Sequence, residues 1–148
     1  GQERITVDDV RAVVGDASEM ALDRIIRAAF SGDSSGAVRE FDRAVGAGQA
    51  AQSVLLALQR HVLRLLRFVG ASEAGRSADQ AMRMLRPPLF GQDRDIFIRQ
   101  ANTWSSERLA KLQDAISGAV RDGRTDARLE TAAAERLLLL IGQSAGRR

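Results

Sequence analysis

Few residues in this 148-residue chain have the type and spacing to do chemistry. His61 is the single histidine, so it could act alone as a general base but cannot complete a triad. It falls between Leu58 and Leu65 at the edge of an apolar helical stripe, where a ring bonded to water or a neighbour is the ordinary case. Lys111 is the only lysine, and Leu112 follows it, so no phosphate-binding loop is encoded. The carboxylate pairs Asp8/Asp9 and Asp93/Asp95 stand at expected helix starts, where capping accounts for them. Asp93-Arg94-Asp95 lacks the later glycine and glutamate of a calcium loop. Without cysteine there is no disulfide, thiolate metal site or cysteine nucleophile. No catalytic residue, metal ligand or cofactor-binding residue is therefore assigned. Trp104 is the one tryptophan. It is expected in the core at a helix junction, as are Phe90 and Phe97. Arg60, Arg64 and Arg67 share one face of a long helix, where long stems over apolar surface are the ordinary reading.

The elements that must position these residues are helical throughout. Period-2 alternation is absent, and apolar residues recur at three and four. Thr6 caps a short helix over about 6–14, with Val7, Val10, Val13 and Val14 as its apolar face and Gly15-Asp16 as its end. A second helix runs over about 18–31 and turns at Gly32-Asp33. A third carries Val38, Phe41 and Val45 and stops at Gly46-Ala47-Gly48. The fourth, about 51–71, has a wide stripe from Val54 to Val69 and is expected at the centre of the bundle. Ser77 opens a short helix to Leu85, broken by Pro87-Pro88. Further helices follow over about 93–103, from Ser105 or Ser106 to Val120, and over 127–142, where Gly142 ends the last. Gln143 to Arg148 should fray. The expectation is an all-α bundle of about seven to eight helices. Its domains would be residues 1–16, the tail of a preceding domain; 17–142, the bundle; and 143–148, a frayed end.

Composition narrows the function classes. Forty-five per cent hydrophobic and 28% charged residues are globular values. Apolar runs reach only five residues, as at Leu137 to Ile141, against the roughly 20 a membrane helix needs. The sequence pI near 10.8 arises from a net charge of only +3 in a chain without Tyr or Cys. Basic and acidic residues number 10 and 10 in the first 76 positions and 12 and 9 in the rest, so charge alone marks no nucleic-acid surface. The opening Gly-Gln-Glu-Arg, without Met, reads as a piece of a longer protein in the cytoplasm.

The stretch LRPPLFGQDRDIFIRQANTWSSERLAKLQDAISGAVRDGRTD, Leu85 to Asp126, carries a family resemblance. With the hydrophobic, Arg-rich helix Arg60 to Phe68, the Leu85–Phe90 element, Trp104-Ser105 and Arg108-Leu109, it resembles the C-terminal region of the delta subunit of the bacterial DNA polymerase III clamp loader, alphaproteobacterial type. The opening ITVDDVRAVVGDASE resembles the tail of that family's lid domain. The family has a Lys-Thr-Gly-like turn before its last helix; here the turn is Asp122-Gly123-Arg124-Thr125-Asp126.

The resemblance implies a non-catalytic collar domain that holds the clamp loader together in DNA replication. The implied partners are the clamp-loader ATPase (gamma/tau) and delta-prime subunits. The sliding clamp would be reached only through an N-terminal domain this chain lacks, and DNA only indirectly. The parent assembly is a nucleotidyltransferase complex, but this part would hold no ATP or polymerase site. Arg60, Arg64, Arg67, Leu138 and Ile141 are the expected subunit interface. The alternatives are a free-standing helical adaptor and a helical DNA-binding domain, the latter requiring an aligned Arg cluster and steep salt dependence.

Overall fold

The computed structural model describes residues 4–146, apart from the side chains of Ala12 and Val14. Seven helices and no strand occur among the described residues: α1 (Val7–Phe30), α2 (Ser34–Gly46), α3 (Ala51–Glu73), α4 (Ala78–Arg83), α5 (Gly91–Thr103), α6 (Ser106–Gly123) and α7 (Ala127–Ala145). The all-α expectation therefore holds.

Local chemistry explains most of the starts. Thr6 and Asp9 form a reciprocal capping box on α1. The Thr6 backbone N–H holds the Asp9 carboxyl below its ordinary value, and the Thr6 hydroxyl adds to this. Asp33 accepts from Gly36 N at 3.0 Å to start α2. Ser77 and Gln80 form a second box on α4. Ser105 and Asp126 cap α6 and α7. Gly32 supplies the left-handed backbone, φ 92°, that turns α1 into α2.

Two expected boundaries are corrected. Gly15-Asp16 does not end a helix: α1 runs through it, and a Cβ on Gly15 would meet nothing within 4 Å. Glycine in a helix interior costs about 1 kcal/mol, too little to break a helix capped on one side and anchored in the bundle on the other. The first two expected helices are thus one. Gly142 does not end the last helix, which continues to Ala145. Its lack of a side chain serves packing, because a Cβ there would sit 2.6 Å from the Ser34 Cα. Residues 143–145 are therefore helical rather than frayed. Arg147 and Arg148, and the Val14 side chain, lie outside the described residues.

α3 is the central element, touching α1, α4, α5, α6 and α7. Val54, Leu55, Leu58, Val62 and Leu65 on it are fully buried. Around it close Ile25, Ala29 and Phe30 from α1, Phe41 from α2, Leu109 and Ile116 from α6, and Leu138 and Ile141 from α7. Only the C-terminal part of α1 joins this core. Its first turns stand clear of the bundle, with Val7 and Val13 each 68% exposed. Those valines do form an apolar face, as expected, but no described residue covers it.

Candidate interaction surface

α3 presents two different sides. Its core side carries the stripe just described. Its outer side carries Leu56, Arg60, Leu63 and Arg67, at intervals of four, three and four, all exposed. Arg64 sits beside them, half-buried. Arg86, from the segment after α4, joins the three α3 arginines around a groove of about 420 Å³. Glu19, Leu22, Asp23 and Ile26 of α1 form the opposite wall, and Pro87 also borders it.

Ion pairs are absent from this groove among the described residues. The pairs present are Arg24 and Arg43 with Glu40, Arg27 with Asp93, Arg94 with Asp79, and Lys111 with Glu107. Arg64 Nη2 donates to the Pro87 carbonyl at 2.7 Å, and its guanidinium lies 5.9 Å from the centre of the Phe97 ring. Its Nε is buried without a partner. Burial lowers the Arg64 pKa, and the Asp23 carboxylate opposes that shift. Arg86 Nη1 donates to the carbonyls of Arg83 and Leu85. These arginines therefore keep positive charge available to an incoming group.

The five expected interface residues divide. Arg60, Arg64 and Arg67 come together on the groove. Leu138 and Ile141 do not join them: both are 0% exposed and packed in the core. The reason is rotational. In the run Leu137 to Ile141, positions 138 and 141 are one helical turn apart and face inward, while Leu139 and Leu140 face out. With Leu129 they give α7 an exposed apolar face of its own. A run of five apolar residues carries no sign of which members face in, so the sequence does not separate the inward pair from the outward one. Arg86 is a loop residue and has no periodicity to mark it.

His61 lies on the groove side of α3 but points into a polar-aromatic node. Its Nε2 donates to Gln100 Oε1 at 2.7 Å, and the Gln100 amide donates to Ser31 Oγ at 3.4 Å. Phe30 and Phe97 pack on the ring at 4.7 and 5.8 Å. Burial pushes its pKa down to about 4, with the Gln100 bond working against that shift and the Arg64 charge adding to it. A neutral imidazole that donates to a buried amide ties α1, α3 and α5 together. The Ser31 hydroxyl is reached through Gln100, so it forms no nucleophile–base pair with His61.

Trp104 is buried between α5 and α6, with Phe30 at 5.8 Å and the Arg108 guanidinium 4.6 Å from its ring centre. Phe97 is buried as expected, whereas Phe90 is 75% exposed. The correction at Phe90 has a local cause: it is the residue preceding α5, in extended backbone, and its side chain falls outside the packed layers. No group of three or more acidic or histidine side chains could hold a metal among the described residues. None of their helices is long and apolar enough to cross a membrane.

The fold and this surface define a helical bundle with an arginine-lined groove and two exposed apolar helix faces. No family model, curated protein or solved structure matches the chain.

Proposed function

We propose that this chain is the collar domain of a clamp-loader delta subunit, a non-catalytic part that holds neighbouring subunits together while a sliding clamp is loaded for DNA replication. The observation that carries the reading is the order of elements. An Arg-faced central helix (α3) leads to a short helix (α4), a Pro87-Pro88 break, a helix ending at Trp104-Ser105 (α5), a Leu-rich helix (α6) and a last helix (α7). That is the order the resemblance implies.

The surface suits the role. Interfaces between subunits favour arginine and apolar anchors over lysine. Here Arg60, Arg67 and Arg86 make no ion pair among the described residues and stand near exposed Leu56 and Leu63, and α7 adds Leu129, Leu139 and Leu140. The partners in this reading are the ATPase (gamma/tau) and delta-prime subunits. In this reading the sliding clamp is engaged by another domain of the subunit, DNA is met only through the assembly, and the assembly works in the cytoplasm. Size exclusion with light scattering tests it, on the chain mixed with the ATPase and delta-prime subunits of the same organism. A discrete complex is expected. A folded chain that elutes alone from every mixture overturns the reading.

A free-standing helical adaptor is the second reading, and the uncovered first half of α1 favours it. An adaptor would capture its partner without ATPase or delta-prime subunits, so the same mixtures separate the two.

A further inference from the structure

Two of the features that no described residue covers are complementary. The first is the free half of α1, from Val7 to Met20. Val7, Val10, Val13 and Met20 are exposed and fall on one side of it. Asp9 and Asp16, seven residues apart, flank that side. Across this half three carboxylates (Asp8, Asp9 and Asp16) stand against one cation, Arg11, while Glu19 lines the chain's own groove. Val7 lies in line with Ile25, but Val10, Val13 and Met20 are rotated by about 60–140° from it, away from the side that α1 later buries in the core at Ile25 and Ala29. Most of this apolar side is thus not a continuation of the core stripe.

The second is the α3 groove. Arg60, Arg64, Arg67 and Arg86 line it without ion pairs among the described residues and outnumber the Glu19 and Asp23 carboxylates of its other wall; Leu63 lies among them, with Leu56 further along the same face. An amphipathic helix with an acidic flank is the occupant that such a groove recognises: its apolar side covers the leucines, and its carboxylates meet the arginines. The chain itself presents such a helix.

We propose that the free half of α1 docks in the Arg60–Arg67 groove of a second copy of this chain. It cannot reach the groove of its own copy, because α1 itself forms the opposite wall through Glu19 and Asp23. The free half is about 21 Å long. One such contact falls short of the roughly 1,200 Å² of a stable interface. A twofold arrangement makes the contact twice, α1 of each copy crossing to α3 of the other. The expected product is a weak, reversible, salt-sensitive dimer. The proposal stands apart from the collar reading, since the contact needs only this chain.

The test is sedimentation velocity on the full chain over a concentration series, at low and high salt. The weight-average mass is expected to rise from the monomer's 16.0 kDa towards twice that value, and less so in high salt. Arg60→Glu with Arg67→Glu should weaken association at least about tenfold. Asp9→Asn with Asp16→Arg should do the same; Asn keeps an oxygen for the Thr6 cap. Both pairs are at exposed positions, and circular dichroism verifies that each variant folds. The equimolar mixture of the two variants should regain association, because the native acidic helix of the first meets the native groove of the second, and the Asp16→Arg helix of the second meets the Arg60→Glu/Arg67→Glu groove of the first with the charges exchanged. A monomer at all concentrations overturns the proposal. So does a dimer that ignores both charge changes, or a mixture that regains nothing. A monomeric chain that binds a thymidine 20-mer, with binding lost in the Arg60→Glu/Arg67→Glu variant, overturns it in favour of nucleic acid.

Discussion

Gly142→Ala should destabilise the bundle, against the trend for helical glycines. α7 crosses the first turn of α2 at this residue. A Cβ on Gly142 would lie 2.6 Å from both Cα and Cβ of Ser34 and 2.8 Å from its nitrogen. Non-bonded carbons rest at about 3.5–4.0 Å, so the two helices must separate by about 1 Å. Two of these three atoms are backbone, and Asp33 pins that turn by accepting from Gly36 N at 3.0 Å. No rotamer change relieves the clash. Overpacking costs about 1–3 kcal/mol, and this geometry belongs at the upper end. Alanine returns about 1 kcal/mol of helix propensity. The net loss is about 1–2 kcal/mol. Gly70 in α3 is the control, because a Cβ there meets nothing within 4 Å. Gly70→Ala should gain about 0.5–1 kcal/mol. Urea unfolding followed by far-ultraviolet circular dichroism measures both, with an unchanged slope marking a pure stability effect. If Gly142→Ala is as stabilising as Gly70→Ala, the close approach of α2 and α7 is refuted.

Phe97→Ala should cost about 3–5 kcal/mol, while Phe90→Ala stays within about 0.5, and thermal melts compare them. His61 carries a pH effect whose sign follows from its lowered pKa. The unfolded ring takes up a proton near its ordinary 6.5 but the folded ring only near about 4. The stability tied to the neutral ring is present above pH 6.5 and lost as pH falls to about 4, by no more than about 3 kcal/mol, and less where the groove admits water. Imidazole signals followed by NMR should titrate near the lower value; a midpoint near 6.5 contradicts the enclosed node. Leu138→Asp should unfold the chain, whereas Leu139→Asp should leave it folded, since only the first buries a charge.

Helix type and the core stripe of the central helix were legible because they depend on periodicity. The stripe from Val54 to Val69 places α3 at the centre, and Trp104 lies inside as its apolar neighbours indicate. The glycine turns at Gly32 and Gly46 were legible too, but the boundaries expected at Gly15 and Gly142 were not. Gly15 and Gly142 look alike in sequence, yet one faces open solvent and the other a neighbouring backbone. That difference lies in tertiary contact, which no local pattern carries. The arginine face of α3 was readable from the spacing of residues 60, 64 and 67. Its groove was not, because Arg86, Glu19 and Asp23 come from distant parts of the chain. The bond from His61 to Gln100 joins positions 39 residues apart and was equally out of reach.

The measurement that bears most directly on the collar reading is the amide NMR spectrum of isotope-labelled chain titrated with unlabelled ATPase and delta-prime subunits. The account predicts saturable changes at Leu56, Arg60, Leu63 and Arg67 of α3 and at Leu129, Leu139 and Leu140 of α7, with the interior of the bundle undisturbed. A spectrum unchanged at saturating partner, or changes confined to residues away from both faces, would contradict it.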